Sequence, residues 1–380
     1  MACIVDNIYS LIESIGKGNF GEVFKTIKKG YNGYLATKKM DSNICELPQI
    51  WKRFSNEVNV IMKMNHPNII KFIDLKRTVN HWYLITEYAN GGSLSSNLKK
   101  YLSIYHKPFS EEITQHLMKQ IVSAVKYLHF NKIIHRDLKL DNILVNYPSD
   151  YDKQTLNLKN SQIKVIDFGF ATILNNPVTF TALGTPNNMD PKILEQINTG
   201  VPNQGYNESV DIWSLGTLCY EMVVGHSPFT GVDMQDLYQK VYNGDYQLPL
   251  TLSEEIVSFI NSMLRQDEEK RANAKQLMNH PFLNNHISTF HPLDVRKIEA
   301  NYLPGGMINM KSKEIEINNS NNNYDVWSVF NQPGIFSEAM SVNQIPTFNG
   351  PQIIPQNQII QNGFQSQNQL INQQQDLFYI

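Results

Sequence analysis

The most informative segment of the chain reads His135-Arg136-Asp137-Leu138-Lys139-Leu140-Asp141-Asn142, and a second one, Asp167-Phe168-Gly169, follows after a spacer. Apolar residues before these segments, from about 94 to 131, recur at the spacing of an amphipathic helix. Residues 207–283, after them, are again mostly helical in pattern. Both segments therefore lie in a predominantly helical part of the chain.

The earlier part of the chain has a different pattern. Residues 9–40 alternate and are rich in Ile, Val, Phe and Tyr with glycine punctuation, which predicts twisted antiparallel strands. The pattern of residues 50–64 predicts a helix, and that of residues 69–89 predicts two more strands. A strand-rich part followed by a helical part predicts an α+β fold of two lobes with a cleft between them.

A glycine-rich segment, Gly16-Lys17-Gly18-Asn19-Phe20-Gly21-Glu22-Val23, lies between two of the predicted strands. Glycine allows a backbone to approach phosphate groups closely with its amide N–H groups turned towards them. A dinucleotide-binding interpretation requires a helix after the third glycine, whereas Val23-Phe24-Lys25-Thr26-Ile27 has the pattern of a strand. A plain glycine hairpin explains the segment equally well.

Lys38 and Glu57 form a second candidate pair. Lys38 follows Ala36-Thr37 on a predicted strand, where a lysine could bind the α- and β-phosphates of a nucleotide. Glu57 lies on the following helix and could hold that lysine through an ion pair. An ordinary surface lysine and a solvated helical glutamate remain the alternatives, and Lys39 leaves the choice of lysine open on these grounds alone.

Taken together, these segments resemble the eukaryotic-type protein kinases from about Tyr9 to Leu283. The resemblance implies a bilobal kinase domain over 9–283, with an N-lobe of antiparallel sheet and one main helix at about 9–89 and a mostly helical C-lobe at about 90–283. It also implies ATP-dependent phosphorylation of protein substrates. Lys139 and Gly184-Thr185-Pro186 resemble the serine/threonine-specific members, so the expected acceptor is a Ser or Thr hydroxyl.

The same resemblance assigns residues to the chemistry of phosphoryl transfer, which depends mainly on positioning and charge neutralisation. Asp137 is expected to orient the substrate hydroxyl and accept its proton, and Lys139 to neutralise the transferring group. Asn142 and Asp167 are expected to bind Mg²⁺, a cation that prefers oxygen ligands. Lys38, held by Glu57, matches the lysine that binds the α/β-phosphates. The expected ATP-binding residues are Ile15, Gly16, Lys17, Gly18, Asn19, Phe20, Gly21, Val23, Ala36, Lys38, Glu87, Ala89, Ser93 and Leu144. Of these, the residues expected to enclose the adenine are Val23, Ala36, Glu87, Ala89 and Leu144, and Ser93 is expected to reach the ribose.

Regulation and subgroup follow from weaker resemblances. Arg136 precedes the catalytic aspartate and, in this family, such an arginine commonly binds an activation-loop phosphate, for which Thr181 is the best candidate; an exposed, unmodified threonine is the alternative. Phe168-Gly169-Phe170-Ala171 and the segment around Gly225-His226 look most similar to the autophagy-initiating (Unc-51-like) kinases, with the calcium/calmodulin-type kinases as near neighbours.

One segment departs from the family pattern. Kinases usually have a glutamate where this chain has Lys192, and that glutamate pairs with a buried arginine that Arg271 matches. Lys192 is therefore expected to face Arg271 with like charge, unless Glu195, Glu268 or Glu269 compensates or the region packs differently. Lys192, together with Asp190 in the same segment, favours an alternative function, a pseudokinase that acts as a scaffold or binding module.

Composition sets the remaining expectations. Lys and Arg total 33 against 35 Asp and Glu, so the net charge of −2 gives no reason to expect nucleic acid as a partner. Three scattered cysteines and the absence of a signal-peptide pattern or a membrane-spanning apolar run favour a cytoplasmic protein. Residues 284–380 are rich in Asn and Gln, which predicts a mostly disordered tail able to bind partners or self-associate.

Overall fold

The computed structural model describes residues 3–18, 21–173, 185–199, 205 and 207–284. The predicted tail, apart from Asn284, lies outside the described residues. The described part has an N-terminal antiparallel sheet with one main helix and a mostly helical remainder, so the predicted bilobal α+β fold is confirmed. Among the described helices, none is both long enough and apolar enough to cross a membrane.

The N-terminal lobe is a six-stranded antiparallel sheet with two helices inserted after its fourth strand. Its strands are β1 (Cys3–Val5), β2 (Tyr9–Gly18), β3 (Gly21–Lys28), β4 (Leu35–Asp41), β5 (Phe72–Arg77) and β6 (His81–Glu87), in the order β1-β2-β3-β4-β6-β5. The helices are α1 (Ser42–Cys45) and α2 (Pro48–Ile61). Pro48 starts α2 at a position where a missing N–H costs nothing.

The strand β1 was not predicted from the sequence. It forms a hairpin with β2 through a turn in which Asp6 and Asn7 have φ values of 52° and 54°. These two residue types tolerate the left-handed conformation better than other non-glycine residues, so the turn is compatible with the sequence. The hairpin places Val5, only 1% exposed, beside Tyr9 and Leu11 in a small apolar cluster on one face of the sheet.

The C-terminal lobe contains the remaining helices, which pack around one large apolar core. They are α3 (Leu94–Tyr105), α4 (Glu111–Phe130), α5 (Asp150–Gln154), α6 (Pro191–Thr199), α7 (Ser209–Val224), α8 (Met234–Asn243), α9 (Glu254–Met263), α10 (Ala274–Met278) and α11 (Pro281–Asn284). The helical pattern over 94–131 corresponds to two helices. His106, at φ 53°, ends α3, and the Ser110 side chain caps the start of α4.

Two short ribbons of this lobe carry the most informative sequence segments. The strand β7 (Ile133–Ile134) pairs with β10 (Thr172–Ile173), and β8 (Ile143–Asn146) pairs with β9 (Gln162–Val165). Ile143 lies opposite Val165, so Asn142 and Asp167 are at the same end of the second ribbon. The pairing of β8 with β9 therefore brings the two predicted metal ligands close together.

Two separate ion pairs replace the expected like-charge contact between Lys192 and Arg271, and one of them is the compensation by Glu268 that the sequence left open. Arg271 Nη1 lies 2.5 Å from the Asp190 carboxylate, and both side chains are at most 2% exposed. Lys192 instead pairs with Glu268 at 2.5 Å, in a more exposed position. Asp190, two residues before the position where the family has its glutamate, supplies the negative charge that the buried arginine needs, and Glu268 compensates Lys192.

Candidate active site

Asp211, a fully buried residue of α7, fixes the backbone of the loop that carries Asp137. Asp211 accepts hydrogen bonds from the backbone N–H groups of His135 and Arg136, at 2.9 and 2.8 Å, and from His129 Nε2 at 2.9 Å. Burial alone would raise the pKa of Asp211, but the hydrogen bond and charge of His129 outweigh it and lower the pKa below its ordinary value. These bonds support the left-handed backbone of Arg136, whose φ is 69°.

Asp137 is 5% exposed, and its carboxylate is surrounded by hydrogen-bond donors. Asn142 Nδ2 lies 2.9 Å and Lys139 Nζ 3.1 Å from Oδ2, and the Thr185 hydroxyl donates to Oδ1 at 2.8 Å. Lys139 Nζ also donates to the Thr185 hydroxyl oxygen at 2.8 Å. The carboxylate is therefore fixed in orientation, as a group that orients a hydroxyl and accepts its proton must be.

The candidate phosphate lysine lies in the opposite lobe. Lys38 on β4 places its Nζ 2.8 Å from Oε2 of Glu57 on α2. Burial would lower the pKa of Lys38, but the negative charges of Glu57 and Asp167 outweigh it and raise the pKa. Lys38 is therefore a fixed, fully charged cation whose field reaches the Asp167 carboxylate.

Asp167 follows β9 and has a φ of 62°, a conformation that only a few non-glycine residues adopt. Its Oδ1 accepts a hydrogen bond from the Gly169 N–H at 3.2 Å. Hydrogen bonds also fix the backbone just before Asp167. The Ile166 N–H donates to the Asn142 carbonyl at 2.9 Å, and the His135 ring binds the Ile166 carbonyl at 3.0 Å. Asn142 and Asp167 are thus coupled through neighbouring backbone.

The donor set at this end of the ribbon fits Mg²⁺. The Asn142 amide nitrogen is used by the Asp137 side chain and carbonyl, at 2.9 and 2.8 Å, which leaves the amide oxygen available for a cation. The described residues contain no group of three His, Cys, Asp or Glu side chains arranged around a metal site. A pair of oxygen ligands agrees with this finding, because Mg²⁺ commonly takes one or two protein ligands and completes its shell with phosphate oxygens and water.

The glycine-rich segment forms the β2–β3 hairpin, with Gly16 opposite Val23 and Gly18 opposite Gly21. Ile15 and Lys17 lie on the same strand, whereas Asn19 and Phe20 fall outside the described residues. A Cβ atom added at Gly21 would lie 2.3 Å from the Lys39 carbonyl oxygen, so no larger residue fits there. The hairpin therefore agrees with both sequence interpretations, a phosphate loop and a plain turn.

The predicted adenine residues come from four strands and the segment that joins the lobes. Ala36 pairs with Thr86 next to Glu87, and Leu144 forms an isolated bridge with Ser93. Val23 and Ala89 belong to the adjoining β3 strand and to the joining segment, respectively. The Ser93 hydroxyl oxygen accepts from Ser96 N–H as the cap of α3, which leaves its proton and its second lone pair for a ribose.

Sequence reasoning missed three contacts of this site. It used Thr185 only as a mark of specificity, whereas the hydroxyl of that residue binds the Asp137 carboxylate. The Glu87 side chain forms an ion pair with Nζ of Lys164, a residue of β9, at 2.9 Å. Asn56, beside Glu57, binds two backbone carbonyls after Asp167. The resemblance could have flagged Thr185, but a side chain that binds a distant backbone leaves no pattern in the sequence.

Comparison with known proteins agrees with this geometry. The protein kinase domain family matches residues 9–283. In Dictyostelium discoideum, the probable serine/threonine-protein kinase fhkC is 32% identical over 284 residues, 73% of this chain, and the probable serine/threonine-protein kinase MARK-A is 33% identical over 281 residues, 72% of this chain. These alignments cover 44% and 24% of the two relatives, so the chain spans less than half of their length.

A third relative is similar over nearly its whole length. Myosin light chain kinase A of Dictyostelium discoideum is 32% identical over 290 residues, which are 75% of this chain and 90% of that protein. The family match covers most of the chain and includes every residue of the candidate active site. The relatives named here are all kinases, two of them described as serine/threonine-specific. The chain belongs to the protein kinase domain family.

Proposed function

We propose that this chain transfers the γ-phosphoryl group of ATP to serine or threonine hydroxyls of protein substrates. The observation that carries the proposal is the buried Asp137 carboxylate, which Asn142, Lys139 and Thr185 hold with hydrogen bonds or charge. The kinase family and its serine/threonine-specific relatives support the reaction class. Because the chain spans less than half of the first two relatives, its activity and substrates belong to the proposal.

In this proposal Asp137 orients the substrate hydroxyl and accepts its proton. Lys139, 3.1 Å from that carboxylate, neutralises negative charge on the transferring group. Both roles need a fixed geometry more than covalent chemistry, because phosphoryl transfer is accelerated mainly by positioning and electrostatics. The hydroxyl of Thr185 contacts both side chains and so fixes their positions relative to each other.

Members of this family generally use ATP and Mg²⁺, and the residues present here fit both. Asn142 and Asp167 would hold Mg²⁺, which would neutralise phosphate charge when bound. Lys38, paired with Glu57 at 2.8 Å, would bind the α/β-phosphates. The β2–β3 hairpin and the predicted adenine residues would cover and enclose the rest of the nucleotide.

Regulation through Thr181 stays a prediction, because that residue lies outside the described part of the chain. Arg136, its expected partner, is described, and its Nε donates to the Phe170 carbonyl at 2.6 Å. A phosphate would have to share this guanidinium with that carbonyl. The Unc-51-like or calcium/calmodulin-type subgroup, cytoplasmic localisation and partner binding by the tail are likewise predictions from the sequence.

The ion pairs of this region weigh against the alternative of a scaffold without catalysis. The sequence support for that alternative came from Asp190 and Lys192, which depart from the family pattern. Asp190 provides the buried partner of Arg271, and Lys192 has Glu268, so both departures are explained by a rearranged set of ion pairs. The rearrangement restores the pairing of the buried arginine without touching the phosphate-binding residues.

The deciding experiment measures phosphate transfer from Mg²⁺-ATP to a generic basic protein, followed by identification of the phosphorylated residue. Wild type is compared with Asp137→Asn, which keeps the size of the side chain but removes the charge and the base. Transfer to Ser or Thr that collapses in the variant is the expected result. No transfer by wild type, even after phosphorylation of Thr181, would favour the scaffold.

A further inference from the structure

Asn56 connects the main helix of the N-terminal lobe to the backbone that follows Asp167. Its side-chain Nδ2 donates to the Phe168 carbonyl at 3.0 Å and to the Ala171 carbonyl at 2.6 Å. Phe168 and Ala171 lie more than a hundred residues further along the chain and are buried. The two bonds use both hydrogens of one amide group, so only a side chain with two donors on one atom can replace them.

The two carbonyls bracket a tight turn, which the Ala171 N–H closes by donating to the Phe168 carbonyl at 3.0 Å. Asp167 immediately precedes this turn in a left-handed conformation that surrounding contacts must maintain. By fixing the first carbonyl after Asp167 and the one that ends the turn, Asn56 restricts rotation of the backbone that aims the Asp167 carboxylate.

Neighbouring residues on α2 therefore act on two parts of the site. Glu57 fixes Lys38 at 2.8 Å, and Asn56 fixes the turn after Asp167. One helical turn earlier, the Arg53 guanidinium lies 4.5 Å from the centre of the Phe170 ring, on the same turn. A displacement of α2 would thus disturb the lysine and the candidate metal ligand together.

We infer that Asn56 is a positioning residue that couples the placement of α2 to the orientation of the metal-binding Asp167. This inference rests on the proposed function, since it assigns Asp167 to Mg²⁺. A positioning role of Asn56 differs from a purely structural role in one measurable respect. Loss of the amide should weaken the contribution of Mg²⁺ to nucleotide binding and turnover, while metal-free nucleotide binding, which depends on Lys38 and the adenine residues, should change little.

The test compares Asn56→Leu, which keeps the approximate shape without donors, with Asn56→Asp, which sets a carboxylate against two carbonyls. Asn59, an exposed amide on the same helix, provides matched controls in Asn59→Leu and Asn59→Asp. Binding of a fluorescent ATP analogue is titrated in EDTA and in Mg²⁺, and kcat and KM for ATP are measured in parallel. Thermal unfolding verifies that each variant is folded.

For Asn56→Leu we expect kcat to fall about tenfold, because the loss of two neutral hydrogen bonds accounts for a change of that size. For Asn56→Asp we expect a larger decrease in kcat. The affinity in EDTA should stay within about twofold of wild type, while the tightening produced by Mg²⁺ should shrink. Wild-type kcat and Mg²⁺ dependence in both Asn56 variants, or equal losses in the Asn59 controls, would overturn the inference.

The two proposals can fail separately. A wild-type protein that neither transfers phosphate nor gains nucleotide affinity from Mg²⁺ would reject the proposed function, and with it the metal role of Asp167. An active wild type with unaffected Asn56 variants would reject the role of Asn56 alone. If wild type binds Mg²⁺-nucleotide without transferring phosphate, the binding titration still decides whether Asn56 supports the metal site.

Discussion

Replacing Asp190 with asparagine should destabilise the kinase domain by about 3 kcal/mol, the lower end of the cost of breaking a buried ion pair. Asp190 and Arg271 are at most 2% exposed, so the substitution leaves a guanidinium charge buried without its counter-ion. The lower end applies because Arg271 keeps hydrogen bonds to the Ser209 and Arg265 carbonyls. Asparagine also keeps an acceptor for the Lys192 N–H, so the charge is the main change.

A loss of this size should lower the melting temperature by about 6–12 °C in a domain of this length. Urea unfolding at fixed pH, followed by tryptophan fluorescence, measures the free energy directly. The Trp213 ring lies 5.1 Å from the Arg271 guanidinium, so the probe reports on the region that is changed. The urea m-value should stay constant if only stability changes.

Lys192→Met is the matched control, because it breaks a neighbouring ion pair that is 36% and 23% exposed. Exposed pairs contribute about 0–1 kcal/mol, so this variant should unfold close to wild type. The double variant Asp190→Ala/Arg271→Met should lose less than the sum of its single variants, since no unpaired charge remains. Equal, small losses in Asp190→Asn and Lys192→Met would refute the assignment of Asp190 as the partner of Arg271.

Three further predictions follow from other contacts. Lys192→Glu, which would restore the usual family residue, should lower the melting temperature in thermal unfolding because the new carboxylate meets Glu268; an increase would contradict the observed pairing. Burial raises the pKa of Glu221 from 4.5 to about 7, so the folded state holds an extra proton between these values and stability should fall as pH rises through that window. In urea unfolding, the free energy of unfolding should decrease between pH 5 and pH 8 by about 2–3 kcal/mol less in Glu221→Gln than in wild type. Thr185→Val should lower kcat about tenfold or more while Thr185→Ser stays near wild type, because serine keeps the hydroxyl that donates to Asp137; equal rates in both would argue against this role.

The fold could be predicted because its signals are local. Alternation over 9–40 and helical spacing over 94–131 each describe how one segment buries one face. Five apolar residues that recur at this spacing in the second segment are all buried in α4, as an amphipathic helix requires: Ile113, Leu117, Ile121, Val125 and Leu128. The hairpin with β1 escaped notice because a three-residue strand is too short to show a period.

Site residues could be predicted where the resemblance to kinases assigned a role to a sequence position. Ion pairs were harder to predict where the charged partner could come from a different position. The family pattern placed Lys38 and Glu57, and the structure has them 2.8 Å apart. The same reasoning placed Lys192 opposite Arg271, because it kept the register of the usual glutamate. A carboxylate two residues earlier, at the start of α6, reaches the same guanidinium. Sequence position fixes the backbone better than it fixes which side chain reaches a charge.

The N-terminal hairpin has a practical consequence for expressing the domain. The family match begins at Tyr9, which makes that residue a natural place to start a shortened protein. Such a fragment would lack β1 and Val5, and Leu11 would lose the neighbouring strand at the edge of the sheet. It would present an unpaired edge beside newly uncovered apolar surface, the combination that promotes self-association. Poor solubility of that fragment would then reflect where it was cut rather than how well the domain folds.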